Sequence, residues 1–247
     1  MIEEDVLSAT TRFERKYRCT HAQYFAFKNA LYPYIQQDFY TRKAPSQRYL
    51  VRSLYFDTKH YQIFFEKAGG NSDRIKYRIR TYSDSIEECP TIRVEMKIRE
   101  ANLTKKFGSY VSIEDCQNFL GNRHWNNQND PVLQDFERHT HLLNLIPKTL
   151  VEYHREGYQT KDGSGTRITF DHRIKSASSR ELFPAKIRWH VHHEQMIVLE
   201  VKHSNPLPEW INRLIKSQGL KLVPNSKFSF GIQTSQPDLV FPGWSNR

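Results

Sequence analysis

Apolar and polar residues alternate along several stretches of the chain, a pattern typical of β-strands, whose successive side chains point to opposite faces. In residues 76–80 and 93–97, charged side chains occupy every second position, and tyrosine, isoleucine, valine or methionine lies between them. Residues 153–155 and 200–202 repeat the alternation over a shorter length. The intervening residues suit a packed face, so we expect these strands to belong to a closed sheet with a charged interior.

Runs of β-forming residues between turn-forming residues predict the remaining strands. Helices are predicted where a capping residue precedes apolar residues at helical spacing. Thr20 and Gln23 start a helix that runs to about Ile35, and Asp130 starts another that runs to about Leu145. The predicted strands lie near residues 12–19, 49–57, 74–82, 91–99, 105–111, 150–158, 167–173, 185–193 and 195–203, and shorter helices lie near 58–67, from 112 onward and near 208–218.

About eight strands with a few interposed helices predict a single α+β domain, since no linker, repeat or low-complexity stretch divides the chain. We assign this domain to residues 12–235, with a flexible arm at 1–11 and a tail at 236–247. Closing the sheet into a barrel would remove its unpaired edges, which otherwise favour aggregation.

The charge of the chain favours an anionic partner. Its 37 lysines and arginines outnumber its 27 aspartates and glutamates, and the formal net charge is +10. Nucleic acid, a phosphorylated ligand or an acidic membrane surface would each suit this balance. Nucleic-acid binding needs an exposed face of basic and aromatic residues. Because the basic residues here alternate with apolar ones and include glutamates among them, we expect no nucleic-acid partner.

Cysteine usage and hydropathy predict a cytoplasmic protein. The three cysteines are an odd number without paired spacing, which indicates reduced thiols. No apolar run approaches the ~20 residues that a transmembrane helix needs. The N-terminus also has no apolar segment of the kind found in signal peptides.

Basic residues of two neighbouring predicted strands form what we call the cation ladder: Lys76, Arg78, Arg80, Arg93 and Lys97. Same-face neighbours along a strand are about 6.6–6.8 Å apart, a spacing suited to successive phosphates. Arginine offers paired donors to phosphate, and lysine offers a compact charge. An exposed basic face is the alternative, but the intervening residues are too apolar to be exposed as well, so we favour a cavity.

Two glutamates, Glu95 and Glu200, lie among these cations. Balancing the positive charge is one role for them. Holding Mg²⁺ or Mn²⁺ is another, because such hard cations take carboxylate and substrate phosphate oxygens. Glu200 has apolar neighbours on both sides and is the better candidate ligand, since a buried carboxylate needs a partner.

The ordered set of these segments resembles a known family. Over residues 12–232, the chain is similar to the catalytic domain of polyphosphate polymerases of the vacuolar transporter chaperone (VTC) type, which belong to the triphosphate tunnel metalloenzyme, or CYTH-like, superfamily. The segments that carry the resemblance are FERK at 13–16, SLYFD at 53–57, YRIR at 77–80, VEMK at 94–97, YHR at 153–155, RITFD at 167–171, VLEVK at 198–202 and SKF at 226–228.

This resemblance implies an antiparallel eight-stranded β-barrel with several peripheral helices, whose interior is a tunnel lined with arginine and lysine. It implies an enzyme that transfers the γ-phosphate of ATP to a growing polyphosphate chain with Mn²⁺ or Mg²⁺. The catalytic residues would be Arg78, Arg80, Lys97, Arg155 and Glu200, with Glu200 as the metal ligand. Together with the cation ladder, the residues expected to bind substrate phosphate are Lys16, Lys76, Arg78, Arg80, Arg93, Lys97, Tyr153, Arg155, Arg167, Lys202, Ser226 and Lys227.

Two departures from the family pattern bear on activity. Related hydrolases and cyclases begin with Glu-x-Glu-x-Lys, whereas Arg12 replaces the first glutamate here; this removes one expected metal ligand and favours the polymerases. The tunnel lysine of the next strand is either Lys105 or Lys106, and a second family lysine near Lys227 is missing. The alternatives are a triphosphatase with the same tunnel and a non-catalytic module that binds polyphosphate.

The resemblance also bears on partners. We expect neither the SPX regulatory domain nor the membrane anchor of the family in this polypeptide, and therefore no sensing of inositol pyrophosphate within it. Its ligands would be ATP and polyphosphate. A separately encoded membrane protein is the macromolecular partner that the resemblance implies, with the chain at the inner face of a membrane; the oligomeric state is not predicted.

Overall fold

The computed structural model describes residues 13–70, 73–89, 91–100, 103–204 and 206–239. The predicted arm at 1–11 and residues 240–247 of the tail lie outside them, and the limits of the domain stay a prediction. Ten antiparallel strands of the described residues form one sheet. Eight of them, β1 (Phe13–Thr20), β3 (Tyr49–Asp57), β4 (Arg74–Thr81), β5 (Ile92–Glu100), β6 (Leu103–Val111), β7 (Ile146–Thr160), β8 (Arg167–Ser178) and β10 (Met196–His203), lie side by side in the order β1-β10-β8-β7-β3-β4-β5-β6, while β2 (Ile35–Gln37) pairs with β7 and β9 (His190–Val191) pairs with β8.

The row of eight strands curls until its two ends face each other. β1 begins the row and β5 lies next to its other end, yet Lys97 Nζ of β5 donates a hydrogen bond of 2.8 Å to Glu14 Oε2 of β1. In the described residues no ladder joins β1 to β6, so the predicted closure into a barrel is not confirmed. The outer edge of β1 instead meets residues 222–223, through an antiparallel bridge and a hydrogen bond from Val223 N to Lys16 O. Another segment thus occupies the edge that closure needs.

Alternation along the strands separates the cavity from the core. Tyr77 and Ile79 of β4 and Val94 and Met96 of β5 point away from the cavity and are buried. They pack beneath helices on the outer face, where Phe136 meets the Tyr77 ring edge-on at 5.7 Å. The helices on the outer face are α4 (Ile113–Asn122) and α5 (Pro131–Leu142), while α1 (His21–Leu31) and α6 (Glu209–Ser217) cover a second core over β1, β8 and β10. Helix α7 (Lys227–Ser235) packs on the cavity side of the sheet, against Thr149 and Val151 of β7, and α3 (Gln62–Ala68) contacts β3, β4 and α7.

The capping residues locate the predicted helix starts correctly. Thr20 caps α1, and its side chain forms the reciprocal pair with Gln23 that defines a capping box. Ser112 caps α4, and Asp130 caps α5. Among the described residues we find no helix whose length and hydropathy would let it span a membrane.

Several predicted elements end or begin elsewhere. The strands predicted at 150–158 and 167–173 are longer in the structure, as β7 and β8, and α5 ends at Leu142 rather than near residue 145. α1 ends at Leu31 rather than near residue 35, because Pro33 has no N–H to continue the helix and lies in a 3₁₀ turn. The helix predicted near 58–67 begins only at Gln62. The strand predicted at 185–193 is wrong except for β9, because only His190 and Val191 of this segment pair with β8, opposite Ser176 and Lys175.

Two helices were not predicted. The five-residue α2 (Phe39–Lys43) begins at Asp38, whose side chain accepts a hydrogen bond from Thr41 N. α7 begins after Ser226, whose side chain accepts a hydrogen bond from Ser229 N. Both helices carry side chains of the cavity described next.

Candidate functional site

One cavity of about 350 Å³ lies inside the curl of the sheet. Its walls come from β1, β3 to β8, β10 and α7, so every strand of the row contributes to it. The structure brings together every residue that the sequence predicted for the site, while their roles in binding and catalysis stay predictions. These residues are Lys16, Lys76, Arg78, Arg80, Arg93, Lys97, Tyr153, Arg155, Arg167, Glu200, Lys202, Ser226 and Lys227.

The cation ladder is built by the pairing of β4 with β5. Their register places Lys76 opposite Lys97 and Arg80 opposite Arg93. Between these two rungs, Arg78 lies opposite a carboxylate, that of Glu95. Successive rungs are separated by two residues, or about 6.6–6.8 Å of strand. The predicted ladder is therefore a series of three rungs, and its central rung carries the negative charge.

Glu95 is the counter-ion of the ladder. It is only 1% exposed, and its carboxylate oxygens lie 2.6 Å from Arg78 Nε and 2.6 Å from Lys106 Nζ. Burial opposes ionisation of this carboxyl, but Arg78, Arg80 and Lys106 hold its pKa well below its usual range. Of the two roles predicted for Glu95 from the sequence, its contacts match charge balancing.

The structure distinguishes the two lysines of β6 that the sequence left open. Lys106 lies opposite Lys97 in the ladder of β5 and β6 and lines the cavity. Lys105 points away, and its Nζ lies 2.9 Å from Glu100 Oε2 in an exposed ion pair. Lys106 is therefore the β6 lysine of the cavity.

Glu200 is surrounded by cations on the opposite wall. Its Oε1 lies 2.8 Å from Lys227 Nζ and 3.7 Å from Lys16 Nζ. Its Oε2 lies 3.4 Å from an Arg155 guanidinium nitrogen and 3.6 Å from Lys202 Nζ. Burial opposes ionisation, but these four cations hold the pKa of Glu200 well below its usual range. A charged carboxylate is thus maintained in the interior of the cavity.

Asp171 orients two of these cations from the same face of the sheet, where it lies opposite Arg155 on the neighbouring strand. It is fully buried, and its carboxylate accepts two hydrogen bonds from the Arg155 guanidinium, at 2.6 and 2.8 Å. Lys227 Nζ lies 2.5 Å from the same carboxylate. Tyr153 packs beside this group, with Lys227 Nζ 4.7 Å from the centre of its ring. The sequence assigned no role to Asp171, although it ends the RITFD segment quoted above.

Glu14 is a cavity carboxylate that the sequence reasoning did not assign. Its Oε2 lies 2.8 Å from Lys97 Nζ, and its Oε1 lies 3.3 Å from Lys16 Nζ. Lys16 therefore lies between Glu14 and Glu200. The signal was present in the alternation of Glu14 and Lys16 along β1, because residues two apart on a strand share a face.

The donors fit a divalent metal only in part. Within the described residues, no three histidine, cysteine, aspartate or glutamate side chains come together in a group that could hold a metal ion. Glu14 and Glu200 flank one lysine and offer carboxylate oxygens on the cavity wall. Mg²⁺ is commonly held by one or two carboxylates together with substrate phosphates and water. The residues present therefore suit a metal that binds together with a phosphorylated substrate.

Helix α7 reaches the site with its N-terminal end. Lys227 is its first residue and is buried, and Ser226 caps it. The Ser226 hydroxyl also accepts a hydrogen bond of 3.0 Å from Lys76 Nζ of β4. The start of α7 thus connects the two walls of the cavity.

Burial disfavours the charged form of several cavity lysines. Burial lowers the pKa of Lys106 and of Lys202 to about 8, although their partner carboxylates oppose the shift. Burial also lowers the pKa of Lys76 well below its usual value, and the like charges of Lys16 and other neighbouring lysines add to the effect. An anionic ligand would offset this cost.

One end of the cavity continues into a second, basic cavity of about 610 Å³. The two cavities share wall residues, among them Lys16, Lys76 and Lys97. Lys67, Arg74 and Arg99 line only the second one, and we call these three residues the basic mouth.

Three of the tyrosines that line the first cavity pack against one another: Tyr40 of α2, Tyr49 of β3 and Tyr82, which follows β4. We call them the tyrosine mouth. The sequence did not predict them, because α2 was not predicted and the other two belong to strand ends.

Three comparisons with known proteins bear on this site. Among solved structures, a candidate adenylate cyclase from Bacillus halodurans superposes with a TM-score of 0.51 at 14% identity, over 86% of this chain and 92% of that one. A candidate adenylate cyclase from Vibrio parahaemolyticus superposes with a TM-score of 0.47 at 11% identity, over 89% of this chain and 96% of that one. The first likeness shows a shared fold. No curated protein sequence gives a significant match.

The family comparison covers almost the whole chain. A model of the VTC domain matches residues 11–236. This range contains all the strands of the sheet and every predicted site residue. It also agrees with the resemblance drawn from the ordered segments of the sequence. The chain belongs to the VTC domain family.

Proposed function

We propose that this protein is a metal-dependent ATP:polyphosphate phosphotransferase, which transfers the γ-phosphate of ATP to a growing polyphosphate chain inside the cavity. The observation that supports this most is the convergence of all the predicted phosphate-binding residues on one cavity, with the cations of β4 and β5 in successive rungs. Linear phosphate carries a negative charge at each unit. A row of regularly spaced cations inside a curled sheet matches that ligand better than a compact anion.

The chemistry asks mainly for positioning and charge neutralisation. Phosphoryl transfer requires the attacking and leaving oxygens to be in line and the charge on the moving phosphate to be stabilised. Arg78 and Arg80 would hold the transferring phosphate from one wall, and Arg155 would hold it from the other. Lys97 would hold the phosphate of the acceptor. An oxygen of the acceptor's terminal phosphate would attack the γ-phosphorus directly, the bond from this phosphorus to the β,γ-bridging oxygen would break, and ADP would leave. No side-chain nucleophile is therefore needed.

Glu200 would hold the divalent metal, with Glu14 as a second carboxylate. Bound Mn²⁺ or Mg²⁺ would supply neutralisation of charge on the phosphate oxygens. The lysines that now contact these carboxylates would then be free to turn to the phosphates. Asp171, already bonded to Arg155 at two points, would keep that guanidinium oriented during this exchange.

The test is a product assay on the purified protein. With ATP and Mn²⁺ or Mg²⁺, we expect long-chain polyphosphate. A gel resolves the polyphosphate, and a phosphate-release assay measures inorganic phosphate separately. Arg78→Ala should lower the rate about 100-fold, as removal of one preorganised charge stabiliser does elsewhere. Glu200→Gln should lose most of the activity, and the activity that remains should not depend on the metal. Arg213→Ala is the matched control, because Arg213 forms an exposed pair with Glu209 on α6 and does not line the described cavity.

Other outcomes of the same assay identify the alternatives. Release of inorganic phosphate from ATP or tripolyphosphate without polyphosphate would indicate a triphosphatase. Tight binding of tripolyphosphate without turnover would indicate a binding module. Unchanged turnover in a folded Arg78→Ala or Glu200→Gln protein would refute the residue assignments.

A further inference from the structure

The cavity has two chemically different ends, and the cation ladder runs between them. The cavity face of β4 carries Arg74, Lys76, Arg78 and Arg80 in turn, and Tyr82 follows just after the strand ends. Eight residues of extended chain span about 26–27 Å. The Arg74 end belongs to the basic mouth, and the Tyr82 end belongs to the tyrosine mouth.

The tyrosine mouth is aromatic and open to solvent. The rings of Tyr40 and Tyr82 stack with their centres 5.8 Å apart and 12° between their planes. Tyr49 packs against both, at 5.6 and 6.1 Å. Tyr40 is 50% exposed and Tyr82 is 38% exposed, whereas core aromatic residues such as Tyr77 and Phe136 are buried. Flat aromatic surface is therefore accessible at the end of a row of cations.

The tyrosine mouth is also held in place by the sheet. Asp38 caps α2 by accepting a hydrogen bond from Thr41 N, and Asp38 N donates to Gly157 O of β7 over 2.8 Å. Gly157 N donates to Thr41 Oγ1 over 2.7 Å. Asp38 also accepts a hydrogen bond from Arg167, which lines the cavity. Tyr40 is thereby anchored, and a preorganised ring loses little freedom when a ligand binds.

We propose that the tyrosine mouth binds the nucleobase of the nucleotide substrate by stacking, so that polyphosphate extends from the ladder toward the basic mouth. The inference rests on the proposed function, because it assigns a direction to the same tunnel. Arg80 is two residues from Tyr82, about 6.6–6.8 Å along the chain. A base stacked at the tyrosines therefore places the phosphates of its nucleotide at the rung formed by Arg80 and Arg93.

The chemistry of the basic mouth supports this direction. Lys67, Arg74 and Arg99 offer positive charge, which attracts phosphate and gains little from a neutral base. Burial lowers the pKa of Lys67 to about 8, and the charges of Arg74 and Lys16 add to the shift, so additional phosphate would relieve crowded positive charge there. The two ends thus match the two ends of the reacting pair, the nucleoside at one and the polyphosphate at the other.

Stacking predicts a particular selectivity. Every base presents an aromatic face, so stacking alone discriminates by ring area rather than by hydrogen-bonding groups. We expect ATP and GTP to bind with similar affinity, and CTP and UTP to bind more weakly.

The experiment compares two ligands by isothermal titration calorimetry: tripolyphosphate, which has no base, and β,γ-imido-ATP, whose γ-phosphate cannot be transferred. Tyr82→Ala and Tyr40→Ala should each weaken β,γ-imido-ATP about tenfold, the loss expected for one stacking partner. Tripolyphosphate should bind all variants equally, which also verifies that they fold. Tyr82→Phe should behave like the unaltered protein, because it keeps the ring. Tyr32→Ala is the matched control, since Tyr32 is 75% exposed and lies in a 3₁₀ turn away from the cavity.

The two ligands separate failure of this inference from failure of the proposed function. If both ligands bind but neither alanine variant changes the ratio of their affinities, the nucleobase does not lie at the tyrosines and the inference is wrong. A lower affinity for β,γ-imido-ATP relative to tripolyphosphate supports the inference if it occurs in Tyr82→Ala and Tyr40→Ala but not in Tyr82→Phe or Tyr32→Ala. If tripolyphosphate fails to bind the unaltered protein, the tunnel does not hold linear phosphate, and the proposed function fails together with the inference.

Discussion

Individual carboxylates determine how many of the cavity's positive charges are available to a ligand. Glu95 and Glu200 each contact several cations and are charged in the absence of a ligand. A phosphate chain presents the same kind of oxygen donors to the same side chains. Each carboxylate therefore acts as a built-in counter-ion, and the energy of binding comes from exchanging one set of charge-assisted hydrogen bonds for another.

At this scale, the two adjacent lysines of β6 provide a matched pair of substitutions. Lys106→Ala removes a cation on the cavity wall, and we expect tripolyphosphate affinity to fall about tenfold, since a hydrogen bond to a charged group contributes roughly 1.5–3 kcal/mol. Lys105→Ala removes one partner of an exposed pair worth about 0–1 kcal/mol and should leave the affinity within about twofold. Calorimetric titration with tripolyphosphate measures both. Equal losses in the two variants would contradict the orientation of β6 in the structure.

The same residues explain what the sequence could and could not predict about the site. The alternation of β4 and β5 is long enough to assign each side chain to a face, so Arg78 and Lys97 were placed correctly on the cavity. Lys105 and Lys106 could not be distinguished, because a shift of one residue in the register of β6 exchanges the faces to which they point. No alternation of charged and apolar residues continues along β6 to determine that register. The contact between Glu14 and Lys97 depends on how far the sheet curls, which no local pattern determines.

Among the elements, α7 matters most, because its first turn joins the two walls of the cavity. Its sequence contains glycine and several residues of low helix propensity, so the helix was not predicted. Tertiary packing holds it instead. A Cβ added at Gly231 would lie 2.9 Å from Thr149 Oγ1 and 3.2 Å from Val151 Cγ2, both on β7. The absence of a side chain at Gly231 is what lets α7 approach the sheet.

Gly231→Ala should therefore displace α7 and weaken the site. We expect a loss of about 1–3 kcal/mol in the free energy of unfolding, the usual cost of overpacking, and weaker binding of tripolyphosphate because Lys227 moves with the helix. Urea unfolding and calorimetry measure the two effects. Gly121→Ala on α4 is the control: nothing lies within 4 Å of its added Cβ, so helix propensity should make it neutral or stabilising by up to about 1 kcal/mol. Similar results for the two variants would contradict the close packing of α7.

Elements with local signals were predicted well, and elements that depend on neighbours were not. Thr20, Ser112 and Asp130 cap their helices as expected, because capping is decided within one turn. The strand predicted at 185–193 failed except at β9, because a strand needs a pairing partner, and only His190 and Val191 of this segment pair with β8. The sequence pattern indicates that a segment can form a strand, whereas pairing with neighbouring strands determines whether it does.

For the whole molecule, the net charge of +10 has a structural consequence. Part of the excess is concentrated inside the curled sheet, where burial lowers the pKa of Lys106 and Lys202 to about 8. A polyanion in the cavity would favour the protonated lysines and raise these pKa values. Below pH 8 both lysines are already charged in the free protein, so binding takes up few protons. Above pH 8 they are mostly neutral, and binding must take up a proton at each.

Affinity for tripolyphosphate should therefore fall as the pH rises from 8 to 10, by up to about tenfold per pH unit for each lysine that must be protonated. The charge of tripolyphosphate itself does not fall over this range, so the ligand cannot cause the loss. Calorimetry at several pH values, in buffers of different ionisation enthalpy, measures both affinity and proton uptake. The double variant Lys106→Arg with Lys202→Arg should show a shallower dependence, because arginine stays charged throughout. An unchanged pH dependence in that variant would show that other groups control binding.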